Sequence, residues 1–376
     1  MTYIDTILTG FLVFPLVAVV ITFPYALYQY YQYGSVSKYR TLIVYSFVLY
    51  MLVAFFLVAL PLPSRESPVG NRWQDHLNLI PCKQIWLYWR NRPVNLATIH
   101  DYLYSFSLWQ LLFNILLTVP FGVYLRYYFK QSFRRTVLYS FLLSLFFETS
   151  QLTALFGIYP GPYRLADVED LICNTMGGAV GYQIAYVFVA ILPKREQIDA
   201  ESIAQGRYIS GPRRIWSAFF DYVCSYLLFL FIDGAVTLLI PEAAKYEEVG
   251  WARIWTVFCI VSLLQVLLTK GATLGHTICH MILVSEDVGI PTAAQLFKRY
   301  LFLWLFIELP VIAAEWLTSG QFEFINDYIA LGIDLISGAY FYLYLARQVF
   351  RRVAKPMPHD KLSRTTYAAI RVDADK

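Results

Sequence analysis

Charge is what this chain has least of. Only 15% of its residues are Asp, Glu, Lys or Arg, against 58% apolar, and the mean hydropathy is +0.50. That excludes an ordinary water-soluble domain, in which about a quarter of residues are charged, and leaves a polytopic membrane protein. An excess of one sign is missing too. The net charge is +4, and the basic residues stand in short loops between apolar runs rather than in one stripe, so nucleic acid is not an expected partner. Cysteine is sparse: there are five, with no CxxC pair, and four of them lie in or beside apolar runs, where Cys acts as a small hydrophobe. Neither a disulfide framework nor a zinc site is expected. His276 and His280 have a zinc-compatible i, i+4 spacing but no evident third ligand, so no metal and no cofactor is expected. Also lacking are a Ser/His/Asp order, HExxH, a Walker A loop and a phosphatase-like His/Arg set; no known catalytic class is indicated. The first apolar run begins almost at Met1 without a basic n-region or a small-residue cleavage site, which reads as a retained span and not a signal peptide.

What the chain does have is long apolar runs. A bilayer core of about 30 Å takes about 20 helical residues to cross. Nine runs qualify or nearly so, at 4–28, 42–62, 108–129, 136–156, 168–192, 215–240, 254–268, 297–317 and 324–349. The expected fold is therefore an all-α, polytopic integral membrane helix bundle of about nine transmembrane helices. A polar stretch, KREQIDAESIAQGRYISG, is the clearest shift in composition. It divides the chain into a first membrane domain at 1–193 with five helices, a cytoplasmic linker at 194–212 and a second membrane domain at 213–354 with about four. The tail, 355–376, is polar and expected to be cytoplasmic and poorly ordered.

Orientation follows from the basic loops. Lys38 and Arg40 follow the first run, Lys130, Arg134 and Arg135 join the third to the fourth, Lys194 and Arg195 follow the fifth, and Arg351, Arg352 and Lys355 follow the last. These loops alternate with acidic or nearly neutral ones, which puts the N-terminus outside and the C-terminus in the cytoplasm. The large outer loop, 63–107, also carries Arg and Lys, but a loop of this length is a weak topogenic signal. Its middle, LNLIPCKQIWLYWRNRP, is apolar and rich in Trp and Tyr, which suits a segment lying in the outer interface. It can serve as a loop cap or as a surface that meets anionic lipid-linked groups.

The polar residues that matter most cluster in 147–181. Glu148 and Gln151 stand at i and i+3 near the end of one apolar run; a Pro/Gly hinge follows, then Arg164, and Asp167, Asp170 and Asn174 share a face at i, i+3 and i+7. Counting along helices at 1.5 Å per residue puts Asn114, Glu148 and Asn174 at one level, about a dozen Å below the outer surface. Each polar group left alone at membrane depth costs roughly 2.5–3.5 kcal/mol, so these groups are expected to satisfy one another, with Arg164 as the counter-charge for Glu148 or the aspartates. Burial and Arg164 act on the Glu148 carboxyl in opposite senses. The cluster reads either as a structural knot or as an outward-facing pocket that binds a polar ligand or performs acid/base chemistry. Asn174, Gly177 and Gly181 form a small-residue stripe suited to close helix packing.

The first half resembles the VanZ family, named for teicoplanin resistance. The resemblance rests on NLIP at 78–81, on Asn114, Pro120 and Gly122 in the third run, on Glu148 and Gln151, and on RxxDxxDxxxNxxGxxxG from Arg164 to Gly181. It covers roughly 4–192, with Cys82 standing where the family usually has an aromatic. The implied function is reduced susceptibility to glycopeptide or lipoglycopeptide antibiotics at the bacterial cell surface, by a mechanism that the resemblance does not supply. The polar cluster itself offers Asn114, Glu148, Gln151, Arg164, Asp167, Asp170 and Asn174 as ligand-binding candidates.

Downstream, Arg214 and Asp221 stand seven apart, Gly271, Thr273 and Gly275 match a GxTxGK turn, and Arg299 opens the eighth run. This part, about 212–352, resembles the RDD family, with His276 in place of the usual lysine. Glu308 and Asp334 count to mid-membrane, where carboxylates need a shared proton, a cation or a basic partner. Arg214, Asp221, Arg299, Glu308 and Asp334 are the polar cluster of this half.

Three functions remain open at this point. The first is an antibiotic-resistance factor that binds or masks a lipid-linked cell-wall precursor or the glycopeptide antibiotic. The second is a membrane enzyme acting on a lipid-linked substrate with Glu148 as acid/base, and the third is a transporter coupled through Glu308 and Asp334. The lipid bilayer is a partner in all three.

Overall fold

The computed structural model describes residues 3–62, 73–90, 92–159, 161–162, 164–239, 251–287, 289–318, 332, 346, 348–349, 351 and 353–370. Nearly all of the ordered elements are helices. They are α1 (Tyr3–Tyr33), α2 (Lys38–Ala59), α3 (Lys83–Trp89), α4 (Leu96–Leu103), α5 (Phe106–Tyr127), α6 (Phe133–Leu152), α7 (Ala154–Gly157), α8 (Val168–Ile191), α9 (Arg195–Gln205), α10 (Gly211–Leu239), α11 (Trp251–Thr269), α12 (Leu274–Ile278), α13 (Ala293–Thr318) and α14 (Pro358–Ser363). Two small sheets complete the fold. One pairs β1 (Leu77–Asn78) with β2 (Ala166–Asp167) in parallel, and the other pairs β3 (Met281–Ser285) with β4 (Thr365–Ala369) antiparallel.

Among the described residues, four helices are long and apolar enough to cross a bilayer: Ile4–Tyr33, Lys38–Ala59, Phe106–Tyr127 and Gly211–Leu239. The pair Val168–Ile191 and Arg195–Gln205, bent by 47°, makes a fifth if taken as one span. The expected count of nine is not reached, for reasons visible in each remaining run. Helix α6 is 20 residues long but turns Thr136, Ser140, Ser144, Glu148, Ser150 and Gln151 inward, which lowers its apolarity. The apolar part of α11, Ile254–Thr269, is short. Of α13 the side chains from 306 to 318 lie outside the described residues, as does most of the ninth run.

The chain divides into two compact units, one made of Met1–Ile21 and Lys38–Ile198, the other of Thr22–Ser37 and Asp199–Lys376. The end of the first apolar helix thus counts with the second unit, which no shift in composition marks.

In the first unit the helices start where short polar side chains accept orphan backbone N–H groups. Ser105 caps α5, Ser132 caps α6, and Asp167 caps α8 through the N–H of Glu169 at 2.9 Å. After α6 the chain reverses through a left-handed turn, with φ of 54°, 56°, 57° and 86° at Ala154, Leu155, Phe156 and Gly157. Helix α8 packs closely on α5 because its glycines face that helix. A Cβ on Gly177 would run into the Ile115 carbonyl and the Thr118 side chain, and one on Gly181 into the Val119 carbonyl. The small-residue stripe is therefore a packing surface.

In the second unit, Tyr30, Phe220, Cys279 and Met281 form one buried apolar cluster and Val266, Leu283, Leu296 and Tyr300 another. Strand β3 alternates buried and half-buried residues, with Met281, Leu283 and Ser285 inward, as a half-covered strand requires. The expectation of a poorly ordered tail is corrected here. Pro358 starts α14, and β4 pairs along the whole of β3, with Met281 opposite Ala369, Leu283 opposite Tyr367 and Ser285 opposite Thr365. The alternating residues of this strand were hidden by the polarity of their neighbours.

Candidate functional site

In the first unit, the ends of α2, α5, α6 and α8 and the strand pair β1–β2 bring the polar residues to one place. Asp167 is the hinge of the arrangement. Its backbone N–H donates to Glu148 Oε2 at 2.9 Å, while its carboxylate accepts the Asn78 side-chain amide at 2.9 Å and the Glu169 N–H at 2.9 Å. One turn on, Asp170 Oδ1 accepts the Asn114 amide from α5. One level deeper, the Asn174 amide donates to Ser144 Oγ at 3.0 Å, and the Asn174 carbonyl accepts Thr118 Oγ1 at 2.6 Å. Glu148, Asp167 and Asn174 are all buried. The buried Asn174 Oδ1 and Gln151 Oε1 make no hydrogen bond among the described residues.

Arg164 is elsewhere than expected. Its guanidinium donates to the carbonyls of Val58 at 2.8 Å and Leu60 at 2.5 Å, and Gln151 shares the Val58 carbonyl at 3.0 Å. These oxygens lie at the C-terminal end of α2, where orphan carbonyls and the negative end of the helix dipole favour a cation. Among the described residues Arg164 makes no ion pair with Glu148, Asp167 or Asp170. The carboxylates are held instead by amide donors and by the N-terminus of α8, where Asp167 is the cap and Glu169 and Asp170 stand in the first turn, and where the helix dipole favours negative charge. The result is a group of carboxylates with neutral donors around them and, among the described residues, no guanidinium or ammonium bonded to them. Such a group can accept hydrogen bonds from a polar or cationic ligand.

Asn78 belongs to this cluster and was missing from the candidate residues, although it opens the NLIP stretch; the parallel pairing of Asn78 with Asp167 puts it there. Ser144 and Thr118 were missed as well. The signal for Ser144 was present, since Thr136, Ser140, Ser144 and Glu148 recur every four residues and so lie on one face of α6.

The second unit gathers its polar residues differently. Arg214 donates to Asp360 Oδ2 at 2.6 Å and to the Lys355 carbonyl at 3.0 Å. Arg299 donates to Asp360 Oδ1, to Thr365 Oγ1 at 2.9 Å and to the Tyr367 hydroxyl at 2.7 Å. Both guanidinium groups also face the Tyr367 ring, at 4.5 and 5.0 Å. Burial pushes the Asp360 carboxyl up, but Arg299 first and Arg214 next outweigh it and hold it well below the usual carboxylate range. His359, 3.5 Å from the same carboxylate, is pushed down to about 3 by burial and by Arg299. It is neutral there, so the contact is not an ion pair.

Asp221 does not join these arginines. It accepts Thr273 Oγ1 at 2.6 Å and the Gly275 N–H at 2.7 Å and so fixes the turn that opens α12. His276 caps the same turn by accepting the Thr273 N–H at its Nδ1, 3.1 Å away. Burial, then Arg299 and Arg214, push it down to about 3, so a neutral ring serves where a lysine was expected. His280 lies against the Tyr31 carbonyl at 2.6 Å. Arg213, fully buried beside Arg214, donates to the carbonyls of Gly206, Tyr208, Cys279 and His280. The Glu308 side chain and Asp334 lie outside the described residues.

The long apolar helices make this a multi-pass membrane protein, and each of its two units holds one polar centre. A VanZ/LLP1 family model matches residues 47–189, and an RDD family model matches residues 210–364. The chain carries a VanZ-like domain followed by an RDD-family domain, and the second match extends over Asp360. The VanZ family is linked to glycopeptide resistance, and RDD is a membrane domain. No curated protein and no solved structure matches the chain.

Proposed function

We propose that this protein is a membrane factor that lowers susceptibility to teicoplanin-type glycopeptides, and that it does so by engaging a lipid-linked cell-wall precursor through the carboxylates around Asp167. The N-terminus faces outside and the C-terminus the cytoplasm, as the basic loops require, so that the cluster opens toward the outer surface. The observation that carries the reading is where Arg164 goes. Among the described residues its guanidinium bonds the carbonyls of Val58 and Leu60, while Glu148, Asp167 and Asp170 accept their hydrogen bonds from amide donors. An ammonium-bearing or hydroxyl-rich headgroup offers donors to these carboxyl oxygens.

The test is drug susceptibility in cells that express the full chain, normalised to folded protein in the membrane. Glu148→Gln and Asp170→Asn keep shape and some hydrogen bonding while removing the carboxyl group. Susceptibility should return to that of cells lacking the protein, at unchanged membrane levels. Full resistance in both variants would remove the cluster from the mechanism. Binding of labelled precursor and of labelled teicoplanin to purified protein tells the two ligands apart, and turnover of the precursor would instead favour the enzyme with Glu148 as acid/base. Reporters fused after Arg65, Lys194 and Arg352 check the orientation; a cytoplasmic signal at Arg65 would put the cluster on the wrong side.

A further inference from the structure

The connection between α2 and α5 carries an apolar face that no part of the described chain covers. Helix α4 has no buried residue. Its Leu96, Ile99 and Leu103 stand at i, i+3 and i+7, on one side, and are 87%, 40% and 53% exposed. Asp101 lies on the opposite side. Helix α3 adds Trp86 and Leu87, 56% and 50% exposed. The cations of this stretch rest on its aromatic rings, with the Arg90 guanidinium 4.8 Å from the Trp86 ring and that of Arg92 4.1 Å from Tyr88.

Both neighbours of this stretch are membrane helices, and their ends are held at one level. Arg164 ties the end of α2 through the carbonyls of Val58 and Leu60, the Asn114 amide ties the start of α5 to Asp170 of α8, and Tyr50 of α2 donates to the Leu117 carbonyl of α5 at 2.7 Å. The stretch therefore leaves and re-enters the bilayer at one surface. An apolar face flanked by Trp, Tyr and Arg is the composition of a segment lying in the headgroup layer. From 83 to 103 it holds Lys83, Arg90 and Arg92 against one acid, Asp101, which matches a negatively charged leaflet.

We infer that α3 and α4 lie in the bilayer surface, with Leu96, Ile99 and Leu103 against acyl chains and Arg90 and Arg92 on the phosphates of anionic phospholipid. The inference rests on the membrane-spanning architecture and not on the resistance reading. It has a consequence for the carboxylate cluster all the same. Asn78, bonded to Asp167, lies five residues before α3, so the hairpin anchors the cluster beside the headgroup layer, and a lipid-borne ligand reaches it sideways.

Nitroxide labels on the full chain in liposomes test this. They are attached one at a time in Leu96→Cys, Ile99→Cys, Leu103→Cys and Asp101→Cys variants, in a Cys82→Ser, Cys224→Ser background. Oxygen, which concentrates in lipid, should relax the first three labels more than a water-soluble nickel chelate does, and the label at 101 should show the reverse. Raising the phosphatidylglycerol fraction in phosphatidylcholine vesicles should strengthen that contrast, and Arg90→Gln with Arg92→Gln should abolish the lipid dependence. Equal nickel access at all four positions would put the hairpin in water. Shielding of all four from both reagents would mean that a protein surface, a second copy or a partner, covers it. Either result overturns the inference, and a phosphatidylglycerol dependence that survives the double arginine variant overturns its anionic part.

Discussion

The two units solve the same problem, how to keep charged groups inside a greasy chain, in opposite ways. In the second unit two guanidinium groups converge on one carboxylate, and every member is used up: Arg299 has Asp360, Thr365 and Tyr367, and Arg214 has Asp360 and a backbone carbonyl. In the first unit the Arg164 guanidinium is turned to a helix end, and among the described residues the carboxylates accept from amides. A network whose charges are matched internally holds a structure together and has nothing left for a ligand. One satisfied by neutral amide donors keeps carboxyl oxygens that a ligand can still engage. The contrast makes the second centre a strut and the first a candidate binding site.

The strongest way to break this comparison is to remove the centre of the strut. Asp360→Ala leaves Arg214 and Arg299 facing each other without a counter-ion, and with Arg299 and Asp360 only 2% and 1% exposed the loss should be about 3–5 kcal/mol. Thermal unfolding of the full chain in detergent, with hydrogen exchange followed across 357–370, reads it. Unchanged protection there would show that β4 holds without the ion pairs.

A smaller loss is expected for Arg164→Gln in the first unit. It uncaps the end of α2 and deletes two charged hydrogen bonds in a half-buried setting, about 1–2 kcal/mol in all. If Arg164 were instead the counter-charge of Glu148, the Glu148→Gln, Arg164→Gln double variant would be more stable than Arg164→Gln alone; here the two losses should simply add.

Acid separates the units next. His359 and His276 have folded pKa values of about 3, below the usual 6.5, so the unfolded chain binds more protons between those limits. Their contribution is complete above about pH 6.5 and is lost as pH falls toward 3. Asp360 is held well below the usual carboxylate range and stays charged through this window. The protection factors of the amides in 357–370, exchange rates corrected for the intrinsic pH dependence, should therefore fall between pH 7.5 and pH 5, and His359→Gln should flatten that dependence. A profile identical to wild type would remove His359 from the linkage.

The smallest effect on stability belongs to Glu148→Gln. The Asp167 N–H keeps an acceptor, so the change should stay within about 1 kcal/mol while the effect on resistance is complete. A thermal midpoint that collapses with this substitution would make the first centre a strut like the second.

Sequence alone determined the membrane character, the place of eight of the nine apolar runs on helices, and the faces within each helix. The Thr136 to Glu148 row, the Asp167, Asp170 and Asn174 face and the Gly177, Gly181 stripe all follow from a period of 3.6 residues, and all are buried or close-packed except Asp170, which is half-buried. Which element a face meets was decided by tertiary structure. Asn78 reaches Asp167 across 89 residues, Arg164 reaches Val58 across 106, and Arg214 reaches Asp360 across 146. Periodicity orders side chains around one axis and carries no information about the register between axes. That is why Arg164 was assigned to the carboxylates beside it in the chain, and why Asp360, in a polar stretch without helical pattern, was read as tail. Its place was fixed by β4 pairing with β3 and by two arginines that had no other carboxylate to meet among the described residues.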